Sequence, residues 1–178
     1  GGNKLTDTGV VIRRTAALGD VMSATPVAEK VAERGYEVTF QAHPAAHCLL
    51  RRIPSITHIA VPNGFCHVDL DNTYESDPNR RKKHFHQMFF EAANNQLRAR
   101  GMEVGNPLNC RPRLRMNDNE LARAVAKFHD YPKPWIFICP RSDSYACRQV
   151  PDHIWQATTR APPGTSFFLP EVPAAAGR

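Results

Sequence analysis

Long apolar runs are missing from this sequence of 178 residues, and their absence limits the classes of protein it can belong to. The mean hydropathy is -0.46, and no stretch approaches the about 20 consecutive apolar residues that a membrane-spanning helix needs. Residues 1–4 (GGNK) lack the apolar core of a signal peptide, so no secretion signal is expected. With 42% hydrophobic and 22% charged residues, the composition is that of a globular protein.

Cysteine pairs are missing as well. The five cysteines are odd in number and none forms a CxxC pair, which favours reduced thiols and a cytoplasmic protein. The nearest approach to a metal-ligand cluster is His43, His47 and Cys48, but Pro44 disturbs the helix that would align them and no partner cluster follows. We therefore expect no metal and no other cofactor.

Negative charge is in deficit. Lysine and arginine number 23 against 17 acidic residues, which gives a net charge of +6. A basic surface attracts phosphate-rich partners, such as nucleotides, nucleic acid or an anionic membrane. In the last case the protein would contact the inner membrane peripherally. The densest basic run, 80–83 (RRKK), is either a solvated loop or a phosphate contact. No RNA-recognition, helix-turn-helix or zinc-finger pattern accompanies it, so a nucleic-acid partner is not favoured.

The hydrophobic pattern alternates between strand and helix periods, which predicts an α/β protein with a Rossmann-like parallel sheet. Short apolar runs predict strands, and longer stretches with apolar residues three and four apart predict helices. Right-handed crossovers then place the strands side by side. The predicted strands are 9–14, 37–42, 56–61 and 67–71, and the predicted helices are 20–34, 45–53, 84–100 and 118–128.

A second domain is predicted after a proline-containing linker at 131–134. Residues 1–130 form the first domain in this interpretation, and residues 135–178 begin the second with one strand–helix–strand unit. Two strands and one helix bury too little surface to be stable alone, so we expect this second domain to be incomplete within the chain.

The turn at 14–26 (RTAALGDVMSATP) joins the first strand to the first helix. It is not a Walker A loop, because Gly19 is not followed by Lys-Ser/Thr, and it lacks the three glycines of a dinucleotide fingerprint. Asp20 has two interpretations: it caps the helix, or it faces the crevice at the sheet edge as an ionised general base. Pro26 either lies within the helix and kinks it, or starts a new helix that Thr25 caps.

The stretch VVIRRTAALGDVMSATPVAEKVAERG at 10–35 resembles the N-terminal signature of glycosyltransferase family 9, which includes the ADP-heptose:lipopolysaccharide heptosyltransferases. A second match, ICPRSDSYACRQVP at 138–151, resembles the family's C/H-P-G and K-R-W-P elements. Cys139 and Pro140 fit this pattern, and Arg148 stands where the family has lysine. The family's later D-x-G-x-x-H motif is absent from the chain.

The resemblance implies a GT-B architecture, in which two Rossmann-like domains face a cleft. It implies inverting, metal-independent transfer of a heptose-like sugar from a nucleotide-diphosphate sugar such as ADP-heptose to an acceptor hydroxyl. Asp20 would then be the catalytic base. Arg148, with Arg141 and Ser142, would bind the donor phosphates on the C-terminal side of the cleft.

The acceptor side is expected at the carboxyl ends of the first strands. We take Arg14, Ser23, Thr25, His43 and Asp71 as the candidate acceptor-binding residues. The family's usual acceptor is the lipopolysaccharide core, a glycan. Two alternatives remain open: a glycosyltransferase that acts on another anionic acceptor such as modified DNA, and a non-catalytic Rossmann-like module that binds a phosphate-bearing ligand.

Overall fold

A computed structural model describes residues 9–15, 17–80, 82–106, 111–131, 135–137 and 166–168. The chain divides into two compact units, residues 1–116 and residues 117–178, and each is described by itself. The helix predicted at 118–128 is grouped with the second unit. The domain borders at 130 and 135 stay a prediction.

The first unit is built on a four-stranded parallel sheet, which confirms the predicted α/β class. Its strands are β1 (Gly9–Arg13), β2 (Glu37–Gln41), β3 (His58–Ala60) and β4 (Val68–Asp69), in the spatial order β3-β2-β1-β4. The chain therefore adds strands on one side of β1 and then returns to its other side. The space between the carboxyl ends of β1 and β4 is the switch point at which open α/β sheets bind ligands.

Two helices connect strands of this sheet, and two more follow β4. They are α1 (Leu18–Glu33) between β1 and β2, α2 (His47–Leu50, after a 3₁₀ turn at Pro44–Ala46) between β2 and β3, and then α3 (Thr73–Ser76) and α4 (Phe85–Arg98). The short helix α3 was not predicted, because a single polar turn carries no apolar period. None of the described helices is long and apolar enough to cross a membrane.

One hydrophobic core joins the sheet to α1 and α4. Val10 and Ile12 of β1 alternate with less buried neighbours, as expected for a pleated strand. The amphipathic α4 contributes Phe89 and Phe90, which are fully buried, and side chains of this size each contribute roughly 1.5–3 kcal/mol when removed from water. This packing holds β1, and hence the turn that follows it, at a fixed position.

Helix α1 runs through Pro26 without a break, so the prediction of a second helix capped by Thr25 was wrong. Proline has no N–H, so the carbonyl of Met22 one turn earlier loses its usual donor. The hydroxyl of Thr25 donates to that carbonyl oxygen at 2.8 Å. This local hydrogen bond satisfies the carbonyl and allows the helix to continue.

His67 connects β4 to β1 through both its backbone and its side chain. Its backbone N–H donates to the carbonyl of Val11 at 2.8 Å, and its Nδ1 accepts from the Val11 N–H, also at 2.8 Å. The ring must therefore be unprotonated at Nδ1. Burial lowers the pKa of His67 below its ordinary value of 6.5, and the nearby charge of Arg100 lowers the pKa further.

We expect the free energy of unfolding to decrease as the pH falls below 6.5, the ordinary pKa from which the His67 pKa is lowered. Below this pH the unfolded chain binds a proton at His67 that the folded chain does not readily accept. The contribution of His67 to the free energy of unfolding is therefore complete above pH 6.5 and is lost as the pH falls toward the lowered pKa of the folded chain. Urea titrations at about pH 7.5 and about pH 5 check this. His67→Asn, which cannot titrate, should reduce the dependence, although His86, whose pKa is also lowered by burial, retains part of it.

The control for this titration is His58→Asn, which removes an exposed imidazole from β3. It should keep the wild-type pH dependence. An unchanged pH dependence in His67→Asn would contradict the role given to the ring of His67.

The second unit contains α5 (Asp118–Phe128) and the parallel strand pair β5 (Trp135–Phe137) and β6 (Ser166–Phe168). The parallel pairing confirms the predicted relation of these two strands. The helix predicted between them, at 151–160, lies outside the described residues.

Candidate active site

Asp20 lies in the first turn of α1, as its third residue, beside the carboxyl ends of β1 and β4. The cap position belongs to Ala17, whose side chain makes no capping bond, so the interpretation of Asp20 as the helix cap was wrong. Ala17 has a φ of 52°, a left-handed conformation that is uncommon for residues other than glycine. This turn directs the carboxylate of Asp20 back toward β1, where it accepts a hydrogen bond from Arg14.

Arg14 is the centre of the site. It follows β1 directly, and only 1% of its surface is exposed. Its Nη2 donates to Asp20 Oδ2 at 2.8 Å and to Glu75 Oε1 at 2.9 Å, while its Nη1 donates to the Leu70 carbonyl at 2.9 Å and to Glu75 Oε2 at 3.3 Å. The guanidinium also lies over the ring of Phe89, 5.5 Å from its centre. Partners from α1, α3, α4 and the residue that follows β4 thus meet on one side chain.

These contacts favour the ionised forms of Arg14 and Glu75. Burial alone would lower the pKa of Arg14, but its hydrogen bonds to Glu75 and Asp20 outweigh the burial and raise the pKa. The hydrogen bond from Arg14 lowers the pKa of Glu75. A buried guanidinium requires such partners, because an unpaired buried charge is strongly unfavourable.

Asp71 fixes the turn from the opposite side of the switch point. Its two carboxylate oxygens accept from the backbone N–H of Thr15 at 2.7 Å and from the Thr15 hydroxyl at 2.9 Å. Beside it, Arg13 forms an ion pair with Asp69. Both carboxylate oxygens of Asp71 are thus engaged in holding the β1–α1 turn, so in this structure Asp71 orders the candidate site.

A half-open pocket of about 430 Å³ lies on the other side of the turn and contains one predicted acceptor residue, His43. Its lining is mostly apolar, and among the described residues that line it only His43 has a titratable side chain. The Nδ1 of His43 accepts from the N–H of Ala45 at 3.3 Å, which caps the 3₁₀ turn. The lining residues are Thr15, Ala17, Leu18, Val21, His43, Ala45, Ala46 and Pro62.

The two remaining candidates on α1 do not line this pocket, and three further candidates lie outside the described residues. Thr25 is 1% exposed, and its hydroxyl is engaged by Met22. Ser23 is half-buried on α1, one turn after Asp20. The donor-side candidates Arg141, Ser142 and Arg148 lie outside the described residues, so their roles stay predictions.

Glu75 is the site residue that the sequence interpretation missed. It lies 61 residues from Arg14 in the chain, within a polar stretch to which no strand or helix was assigned. The available signal was topological, because a residue just after β4 must lie near the end of β1 if those strands are neighbours. The hydrophobic pattern predicted four strands but did not give their order.

Within the basic run, the side chains of Arg80 and Lys83 contact protein groups of opposite polarity. Arg80 donates to the carbonyl of Glu75 at 3.0 Å, and Lys83 pairs with Glu91 at 2.6 Å and with Asp77 at 3.5 Å. For Arg80 and Lys83, these contacts favour the interpretation of the run as a loop over its interpretation as a phosphate contact. Among the described residues, no three His, Cys, Asp or Glu side chains are grouped closely enough to hold a metal ion.

No family model matches this sequence, and no curated protein matches it significantly. The fold does have solved counterparts. The E. coli heptosyltransferase WaaC, solved with ADP, is similar with a TM-score of 0.52 over 92% of this chain, at 10% sequence identity. The chain shares its fold with this heptosyltransferase. At this identity the likeness shows the fold alone.

Two structures of TibC, an iron-containing dodecameric glycosyltransferase from enterotoxigenic E. coli, are also similar. One of them was solved with ADP-D-β-D-heptose. Their TM-scores are 0.49, over 96% of this chain, at 17% and 16% identity. The present chain spans 66% of the WaaC chain and 50% of each TibC chain.

Proposed function

We propose that this protein is a glycosyltransferase in which Asp20 activates an acceptor hydroxyl. The observation that carries the proposal is the position of the Asp20 carboxylate. It lies at the switch point of a glycosyltransferase fold, its side chain is 27% exposed, and a buried arginine orients it. A partly exposed carboxylate at this edge of the sheet can reach a bound ligand and accept its proton.

In this mechanism, Asp20 takes the hydroxyl proton as the acceptor oxygen attacks the anomeric carbon of the donor sugar. The bond from that carbon to the donor diphosphate breaks, and the configuration inverts. The departing diphosphate carries negative charge, which cationic and hydroxyl groups stabilise. From the sequence resemblance we assign this role to Arg148, Arg141 and Ser142.

We propose a nucleotide-diphosphate sugar such as ADP-heptose as the donor, because WaaC was solved with ADP. The net charge of +6 favours an anionic acceptor. A lipopolysaccharide core glycan is the first acceptor to test, and modified DNA is the second. Such an enzyme would work in the cytoplasm, in peripheral contact with the inner membrane.

An acceptor-dependent assay of nucleoside diphosphate release tests this proposal. The protein is incubated with a nucleotide sugar and a panel of glycan and DNA acceptors in the presence of EDTA. We expect stoichiometric formation of nucleoside diphosphate and glycosylated acceptor, with inversion at the anomeric carbon. Tight binding of the nucleotide sugar without any transfer would instead support the non-catalytic phosphate-binding module.

A further inference from the structure

We propose that Glu75 is a positioning residue for the transfer reaction, acting on Asp20 through Arg14. This inference rests on the proposed function of Asp20. Neither the resemblance nor the sequence pattern assigned a role to Glu75. The structure places its carboxylate on the same nitrogen atom of Arg14 that contacts Asp20.

The hydrogen-bond geometry explains how Glu75 can act at a distance. A guanidinium has four N–H groups on its two terminal nitrogens, which lie in one plane. Glu75 accepts from both Nη1 and Nη2 of Arg14, and the Leu70 carbonyl accepts from Nη1 as well. These contacts fix the plane of the guanidinium. The remaining N–H of Nη2 then has one direction, toward Asp20.

The charges of the group make a second argument. One guanidinium faces two carboxylates, so the cluster of Arg14, Asp20 and Glu75 carries a net negative charge. Glu75 makes the two-point contact with Arg14, whereas Asp20 makes a one-point contact. Two-point contacts between arginine and a carboxylate are the stronger type. Glu75 therefore balances most of the arginine charge. The other carboxylate oxygen of Asp20 has no hydrogen-bond partner among the described residues and can take the proton of the acceptor.

The backbone around Glu75 is built to hold it there. Helix α3 begins directly after Asn72, which has a φ of 56°. The hydroxyl and backbone N–H of Ser76 donate to the Asn72 carbonyl, and Arg80 donates to the Glu75 carbonyl. Three contacts thus order a helix of only one turn. The carboxylate of Glu75 reaches Arg14 from the β4 side, whereas that of Asp20 reaches it from the β1–α1 side.

Steady-state kinetics of Glu75→Gln in the full chain test the inference. The neutral amide keeps the size of the side chain but cannot accept from both nitrogens of Arg14. We expect kcat to fall by about 10-fold to 100-fold, which is the range for a misplaced catalytic group, while KM for both substrates changes little. The matched control is Glu33→Gln, which removes an ion pair with Lys30 at the far end of α1 and should keep wild-type kcat.

The outcomes separate this inference from the proposed function. A wild-type kcat in Glu75→Gln, an equal loss in Glu33→Gln, or a rise in KM alone would overturn the positioning role while leaving the enzyme proposal intact. Absence of turnover in the wild type would overturn the proposed function itself. If Glu75→Gln does not fold, Glu75→Asp replaces it: its shorter reach should also lower kcat, and a wild-type kcat there would overturn the inference.

Discussion

Asp20→Asn is expected to lower kcat by about 10²-fold to 10⁴-fold, which is the range for loss of a general base. The amide keeps the shape of the side chain but cannot take a proton from the acceptor hydroxyl. KM should change little, because the lost interaction belongs to the transition state. The measurement is the initial rate of acceptor glycosylation, with product formation followed by mass spectrometry.

The fold should survive this change. Arg14 keeps its contacts with Glu75 and with the Leu70 carbonyl, so its charge stays partnered. The free energy of unfolding should therefore fall by only about 1 kcal/mol, the usual contribution of a single partly exposed hydrogen bond. Asp118→Asn is the matched control, since Asp118 also lies in the first turn of a helix. Equal rates for Asp20→Asn and the wild type would remove Asp20 from the mechanism.

Arg14→Met should give the largest loss of stability, about 3 kcal/mol in the free energy of unfolding. Removing one member of a buried ion pair leaves uncompensated charge and typically destabilises by about 3–5 kcal/mol. The lower end applies because Asp20 and Glu75 are partly exposed and regain water. The Leu70 carbonyl would also lose its side-chain donor. Urea unfolding at neutral pH measures the loss.

The control for this measurement is Arg98→Met. Arg98 pairs with Glu103 at 2.8 Å, but both side chains are well exposed, and exposed pairs of this kind contribute about 0–1 kcal/mol. Arg14→Lys adds a further comparison, because its single ammonium keeps the charge but cannot reproduce the planar two-point contact. A loss in Arg14→Met no larger than that in Arg98→Met would contradict the central role of Arg14.

The fold could be predicted from the sequence where the chain has a clear period. Strands β1 and β2 and helices α1 and α4 were predicted within two residues, because each buries one regular face against the core. The sequence pattern did not single out the cap of α5 among Asn117, Asp118 and Asn119, and in the structure Asn117 makes the capping box with Glu120. Three polar residues in succession are equivalent by residue type, and only the backbone distinguishes them.

The site was only partly predictable. Asp20 and Arg14 were found because they lie in one short turn, and their direct contact agrees with that interpretation. Asp71 was expected near the cleft, but its two hydrogen bonds to Thr15 could not be read from spacing. Glu75 was missed because its role depends on strand order. Strand order follows from packing over the whole unit, which a local pattern does not contain.

The order in which a ribosome makes the chain has a consequence for this site. The hydrogen bonds from Arg14 and Thr15 to Leu70, Asp71 and Glu75 join residues that are 56 and 61 positions apart. Strand β2 emerges long before them and can pair with β1 at once. During synthesis, the guanidinium of Arg14 therefore has only its near neighbour Asp20 available at first, and the charged cluster is completed by Leu70 and Glu75 only after β4 and α3 have emerged.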